Sequence, residues 1–347
     1  MMPEEWPIAA SAADQNAPAR HAGSDRLATV RADFFLDAGQ RLTEQERALM
    51  TAMLHCLVGD VADALRAALP SGRTAANDDS NLALIEALTS SRLLDDPELV
   101  AMLLRRADEE RIASAATART GRREARVLQG LVSHSNGSVS AAAMALILAR
   151  GRRRDRFGQC LIAFDDLSQS AAQALVHMIA AALRPELGAA PDKELIAAMA
   201  NVLGQRDRAR SIDSLTAALV QLLDENDGLT DDLILAAAHE GEIAFLGQVL
   251  ARRAGVPAES AIEELLSAKP RRMMALFRIA DASRTLSAGL LAGIGDLLGV
   301  DDPAQAIGLF DSMTDAQVNE ARTWLATPPA YRAALATLGE GHGERSF

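Results

Sequence analysis

Helical cassettes follow one another along this chain with hardly a credible strand between them, and part of the pattern repeats. Gly255-Val256-Pro257 leads into Ala261-Ile262 and Leu265, and Gly299-Val300, followed by Asp302-Pro303, leads into Ala306-Ile307 and Phe310. The offset between the two cassettes is 44 to 45 residues, inside the period of about 40–47 of HEAT- and armadillo-like repeats. One such unit cannot bury its apolar face alone, so repeats stack, and the extended surface that results typically binds other macromolecules. Composition agrees with this reading. Hydrophobic residues make up 49% of the 347, aromatics only 3%, so the core must be built from Leu, Ala, Ile and Met. Ala and Leu head the helix-propensity scale, whereas a sandwich or barrel draws on β-branched and aromatic residues. The expected fold is all-α: HEAT/armadillo-like helical repeats, arranged as an α-solenoid or a layered helical bundle.

The chain divides by pattern into four stretches. Residues 1–24 are rich in Ala, Pro, Asp and Asn without periodicity and read as a flexible tail. Residues 25–130 read as an N-terminal helical domain with a long helix over 43–69. Thr43 and Glu46 have capping-box spacing there, and Leu49, Met53, Leu57, Val61 and Leu65 form one apolar stripe. Asp96-Pro97-Glu98 starts another helix, Asp as N-cap and Pro in the first turn. Residues 138–226 read as central helical repeats: an alanine-rich helix over 139–150, a break at 151–158, a helix capped by Asp166, and two more near 192–204 and 211–224. Residues 229–340 read as short-helix repeats over 230–239, 242–254, 257–268, 270–281, 285–298, 303–312, 314–326 and 328–338. Gly255 and Gly299 fall where helices end in a left-handed residue, while Ser260/Glu263 and Thr314/Gln317 have capping spacing. Gly289 and Gly293, four apart, predict close approach of a neighbouring helix.

No constellation of catalytic residues stands out. The six His are scattered, and His239-Glu240 lacks the second His of a zincin motif. His55 and Cys56 are adjacent on a helix and so point about 100° apart. The glycines of 293–299 end a helix instead of following a strand, which is the wrong context for a dinucleotide loop. Ser133-His134-Ser135 lies in an Asn-Gly turn without a nucleophile elbow. No catalytic residue, cofactor or metal site is expected, and the chain reads as a non-enzyme.

Charge is the feature with functional content. The formal net charge is −12 and the pI near 5.0, which argues against nonspecific nucleic-acid binding by the whole chain. Yet residues 105–156 hold twelve Arg against five acids, a local +7 that leaves −19 for the rest. Guanidinium groups match carboxylates and phosphates in bidentate geometry. Arg119, Arg122, Arg123, Arg152, Arg153, Arg154 and Arg156 are therefore the candidate anion-facing patch for a partner. The competing reading is that these arginines pair with the chain's own acidic helices.

Leu42-Thr43-Glu44-Gln45-Glu46-Arg47-Ala48-Leu49-Met50, Leu99 to Arg106 and Arg153-Arg154-Asp155-Arg156-Phe157-Gly158 resemble a bacterial family of uncharacterised helical-repeat proteins, defined by a conserved domain of unknown function. Ala236-Ala237-Ala238-His239-Glu240-Gly241, Phe245 and Ala254-Gly255-Val256 are similar to its repeated part. The resemblance covers nearly all of the chain after residue 25. It implies helical repeats and a bacterial cytoplasmic location, and brings no activity with it. Two distant thiols, Cys56 and Cys160, fit a reducing compartment. The acidic N-terminus lacks the features of a signal peptide. The longest apolar run, 141–149, is half a membrane span.

The functional expectation is a cytoplasmic, non-enzymatic protein–protein interaction scaffold or regulator. Its partner would be another, acidic protein, with no membrane involved. The alternative is binding of nucleic acid or another polyanion through 105–156. A homodimer through the long helix is the remaining option, set against burial of that helix by the segments 82–94 and 97–118.

Overall fold

Many helix starts in this chain are set by short polar side chains that accept a backbone amide, although the α-helices beginning at Ile243, Ala258 and Pro270 lack such a cap. Asp96 accepts from Leu99 N at 2.9 Å, Asn136 from Ser138 N, Ser168 from Ala171 N, Ser211 from Ser214 N, Ser283 from Leu286 N and Asp302 from Gln305 N. Thr314 and Gln317 form the reciprocal capping box, which satisfies two orphan donors at once. The computed structural model describes residues 42–69, 78–91, 94–121, 126–185, 192–328, 331, 332, 334 and 335. The 1–24 tail reading, Arg122, Arg123 and most of the 328–338 helix lie outside them.

The described residues form fifteen α-helices and no strand. They are α1 Glu44–Ala67, α2 Asp78–Ser90, α3 Pro97–Thr120, α4 Arg126–Val132, α5 Gly137–Arg152, α6 Gln169–Leu183, α7 Asp192–Gln205 and α8 Ile212–Asp224. There follow α9 Asp231–His239, α10 Ile243–Ala254, α11 Ala258–Leu266, α12 Pro270–Ile279, α13 Arg284–Leu290, α14 Pro303–Ser312 and α15 Asp315–Ala326. The fold is all-α.

Three local expectations are corrected. Asp166 does not cap the helix after it. Ser168 does, and Asp166 sits in a 3-10 turn, Phe164–Asp166, with its carboxylate committed elsewhere. Ser260 is inside α11, where its buried hydroxyl accepts from Arg332 Nη2 at 2.9 Å. The segment 285–298 is not one α-helix: α13 passes into a π turn over Leu291–Gly295 and a 3-10 turn over Asp296–Leu298. A Cβ on Gly289 would meet Leu235 Cδ2 of α9 at 2.5 Å, and one on Gly293 would meet Ala238 Cβ at 3.3 Å, so this helix presses its glycine edge against α9 as the spacing predicts.

The helix ends of the C-terminal half share a device only partly visible in sequence. Left-handed residues occur at Asp227, Gly241, Gly255, Ala268, Asp281 and Gly299. After five of them, the next amide returns to the carbonyl five residues back, as in Val256 N to Ala251 O at 3.1 Å and Val300 N to Gly295 O at 2.8 Å. This is the Schellman closure, and at Val256, Ala282 and Val300 an apolar residue follows the left-handed one. Val256 and Val300, equivalent in the two cassettes, are both buried. Ala268 carries a β-carbon at φ 53°, a conformation that costs an L-residue about 1–2 kcal/mol. Ala268→Gly is expected to raise stability by about 1 kcal/mol, read as a higher urea midpoint at unchanged slope.

From Glu44 onward the helices make one compact unit with two apolar clusters. The first joins α1, α2, the N-terminal half of α3, α6 and α7, through residues such as Met53, Leu57, Leu88, Leu103, Leu175 and Leu195. The second joins Ile112 of α3 with α4, α5 and α8–α15, around Phe245 and Phe277. Each cluster is assembled from two stretches distant in sequence, so the clusters cut across the expected 25–130, 138–226 and 229–340 boundaries. The cause is the length of α3: 24 residues at 1.5 Å per residue span about 36 Å, long enough to serve both. Its partner α1 is by length and composition able to cross a bilayer, but its apolar face is packed within the chain against α2, α3, α6 and α7. Intrachain burial of the long helix, the alternative to a dimer there, is what the fold contains.

Candidate functional site

The chain passes between the two clusters along α3, through the loop after α5, and through the turn before α8. All three crossings meet at one cluster of charged side chains. On α3, Arg106 is buried and donates to Glu109 Oε2 at 2.6 Å and to Asp213 Oδ1 of α8 at 2.9 Å. Arg105 also binds Asp213, and its Nε lies 3.2 Å from Glu109 Oε1 without hydrogen-bond alignment. Burial alone would raise the Asp213 pKa, but Arg106 and Arg105 outweigh it and hold that carboxyl well below the usual carboxylate range. Arg106 keeps its charge for the same reason: Glu109 and Asp213 more than offset the cost of burial.

At the second crossing, Arg153 ends α5 and grips Asp166 with two bonds, Nε to Oδ2 at 2.6 Å and Nη2 to Oδ1 at 2.9 Å. Asp166 is 1% exposed. It also accepts from Ala163 N at 3.0 Å and from Ile212 N, the first residue of α8, at 2.9 Å. A carboxylate at a helix N-terminus meets both unpaired amides and the positive end of the dipole. Arg154 binds Glu110 in the bidentate way, at 2.6 and 2.7 Å, and Arg150 binds Glu242 at 2.8 Å.

The small cleft between these groups has a volume of about 120 Å³, room for about four waters and well below the roughly 300 Å³ at which ligand pockets begin. Arg106, Arg150, Arg153 and Arg154 line it opposite Glu109, Glu110, Asp166 and Glu242, four cations against four anions. Cys160 lies at its edge, and burial followed by the Glu110 charge pushes that thiol up, away from thiolate character. Charge balance and size make this a fastening point between the two apolar clusters. Among the described residues no group of three or more His, Cys, Asp or Glu is arranged to hold a metal.

The expected anion-facing arginines are therefore dispersed in role. Arg153 and Arg154 are fasteners. Arg119 pairs with Asp296 and reaches Gly293 O at 3.4 Å. Arg122 and Arg123 lie outside the described residues. Arg152 and Arg156 are exposed, and Arg156 lies over the Phe157 ring, 4.7 Å from its centre. Of the twelve arginines in 105–156, seven have an acidic partner within the chain. Internal pairing thus takes up most of the local positive charge. The remaining motifs are structural as well. Glu240 accepts from Val127 N at 3.1 Å at the start of α4, and His134 Nδ1 accepts from Asn136 N in its turn.

Apolar groups also face outward here. The loop after α5 forms a miniature hairpin, with one antiparallel bridge between Arg154 and Cys160. Asp155 Oδ1 accepts from Phe157 N and Gln159 N, both at 2.8 Å, and Gly158 turns the chain at φ 82°. That turn presents Phe157 75% exposed. The preceding helix α5 exposes Ala141, Met144, Ala145 and Leu148, an outer stripe at helical spacing. The apolar run Ala141–Ala149 is visible in the sequence, whereas the exposure of one of its faces is not.

Residues 85–321 match the model of a family described as an uncharacterised protein conserved in bacteria, DUF2336. The chain belongs to that family. The matched span contains Leu99–Arg106, Arg153–Gly158 and Ala236–Gly241, and leaves out α1 with the Leu42–Met50 stretch. No curated protein and no solved structure matches the chain.

The ionic cluster carries a pH signature. Asp213 titrates lower folded than unfolded, so its stabilisation is complete above the unfolded value near 3.9 and is lost as pH falls through the folded one. Asp213→Asn is expected to cost about 1–3 kcal/mol at pH 7. It should also flatten the acid limb of stability, checked by urea unfolding from neutral pH downward.

Proposed function

We propose that the protein is a non-enzymatic interaction module of the bacterial cytoplasm, a scaffold or regulator that binds another protein. The docking surface is the outer stripe of α5 together with the Arg152, Arg156 and Phe157 tip. The observation that carries this reading is Phe157: a large aromatic held out in solvent by a turn that Asp155 and Gly158 pre-form. Aromatic and Arg anchors presented without ordering cost are what interface centres are made of. The partner would offer an apolar surface flanked by carboxylates, which meet the two outward arginines. A HEAT-like reading fits α9–α12, where α9 packs on α10, α10 on α11 and α11 on α12, whereas α12 packs chiefly on α14 and α15 instead of on its sequence neighbour α13. The polyanion alternative has less to stand on, because seven of the twelve arginines are already ion-paired.

Affinity capture of the intact protein and of Phe157→Ser, with and without nuclease and at two salt concentrations, tests the reading. The expected result is a nuclease-resistant protein partner that Phe157→Ser loses. Partners that vanish with nuclease or modest salt would replace it with nucleic-acid binding.

A further inference from the structure

The α5 stripe does not stand alone. α5 packs along α8, and two contacts show that they run antiparallel: Asn136 Nδ2 donates to Asn226 Oδ1 at 2.7 Å at one end, and Arg153 Nη2 donates to Arg210 O at 3.0 Å at the other. The α5 stripe supplies the apolar middle of this helix pair, and midway along α8 the exposed residues are the small Ala218 and the uncharged Gln221. The two ends carry opposite charge. At the start of α5 lie Glu225 and Asp227, both exposed, beside Asn226. At its end lie Arg152, Arg156 and Arg208, all exposed.

We infer that the occupant of this face is a second copy of the same chain, seated across a two-fold axis with the two α5 helices antiparallel. The inference rests on the interaction reading above and names the partner. A two-fold contact is self-complementary: whatever one end touches, the other end touches in reverse. A pairing centred on Met144 and Ala145 sets the basic end of each copy over the acidic end of the other, twice. The small side chains Ala141 and Ala145 let the helices approach closely, while Met144 and Leu148 interlock. A lipid surface fits less well, because a face with a carboxylate end cannot lie flat on anionic headgroups, and a phosphate backbone meets the same objection. Sixteen residues of α5 give about 24 Å of helix. Two helices side by side, each about 10 Å wide, offer on the order of 500 Å² per copy, below the roughly 800 Å² of a standard stable interface. The dimer is accordingly weak, in the micromolar range, and sensitive to salt.

Sedimentation of the intact protein from about 1 to about 200 μM, at low and high salt, tests this. A monomer–dimer equilibrium that weakens with salt is expected, and Leu148→Glu should abolish it without moving the thermal midpoint. Arg152→Glu and Glu225→Arg should each weaken self-association about tenfold by placing like charges opposite each other. Mixed together, the two should restore it, since every end then meets its opposite. A chain that stays monomeric throughout overturns the proposal, as does a dimer indifferent to both substitutions. Flotation of a monomeric chain with vesicles of phosphatidylcholine and phosphatidylserine would overturn it in favour of a lipid surface. If the dimer is absent while Phe157→Ser still loses a captured protein, this inference fails and the interaction reading stands.

Discussion

A chain carrying Asp166→Ala is expected to lose about 3–5 kcal/mol of stability, the cost of leaving a buried charge without its partner. Asp166 accepts four bonds: two from Arg153, one from Ala163 N and one from Ile212 N. Alanine removes all four acceptors and leaves the Arg153 guanidinium, 11% exposed, with only carbonyl oxygens. It also strips the first turn of α8 of its anionic cap, itself worth about 1 kcal/mol. Urea unfolding at pH 7 measures the loss, and Arg152→Ala provides the contrast. Arg152 is exposed, and its replacement should stay within about 0.5 kcal/mol of the parent. Equal effects from the two substitutions would mean that the crossing is not fastened by this pair.

The second large effect concerns a stretch outside the family-matched span. A chain consisting of residues 85–321 alone is expected not to fold cooperatively. It lacks α1, which brings Met53, Leu57, Val58, Val61 and Leu65 into the first apolar cluster, each 2% exposed or less. At about 1.5–3 kcal/mol for each large side chain, their loss rivals the roughly 5–15 kcal/mol that stabilises a whole domain. Leu103, Leu175 and Leu195 would be left facing water. The measurement is thermal unfolding with binding of a hydrophobic dye, in which the shortened chain should show dye binding before heating and no sharp transition. Leu57→Ala in the full chain is the milder version, expected to cost about 2–5 kcal/mol. A shortened chain that melts cooperatively would place α1 outside the folding unit.

Both predictions depend on features that differ in how well the sequence announces them. Helix starts were legible because their cause is local: Asp96 before Pro97, or Thr314 three residues before Gln317, supplies an oxygen to a nearby amide wherever the helix then packs. Gly255 and Gly299 were legible for the same reason. The left-handed Asp227, Ala268 and Asp281 were not, since nothing in those residue types marks the conformation. The interleaving of the two clusters was hidden as well. Helix α3 has an ordinary apolar pattern, and only its length, combined with the positions of α6 and α8, makes it serve both. Asp166 looked like an N-cap because an Asp just before a helix ordinarily is one. Its actual partners lie 13 and 46 residues away, beyond the reach of local pattern. The arginine-rich segment is plain in the sequence, but sequence cannot sort its members by direction.

Because Arg153 and Arg154 pair inward while Arg152 faces solvent, exchanging the three together for Ser would mix folding with binding. Such a protein would lose binding through instability whether or not the patch binds anything. The direct measurement is a series of four single substitutions, Arg152→Ser, Arg153→Ser, Arg154→Ser and Arg156→Ser, each assayed for its urea midpoint and for partner capture. Arg153→Ser and Arg154→Ser are expected to lower the midpoint, while Arg152→Ser and Arg156→Ser are expected to keep it and weaken capture. Undiminished capture by folded Arg152→Ser and Arg156→Ser proteins would contradict that division of roles.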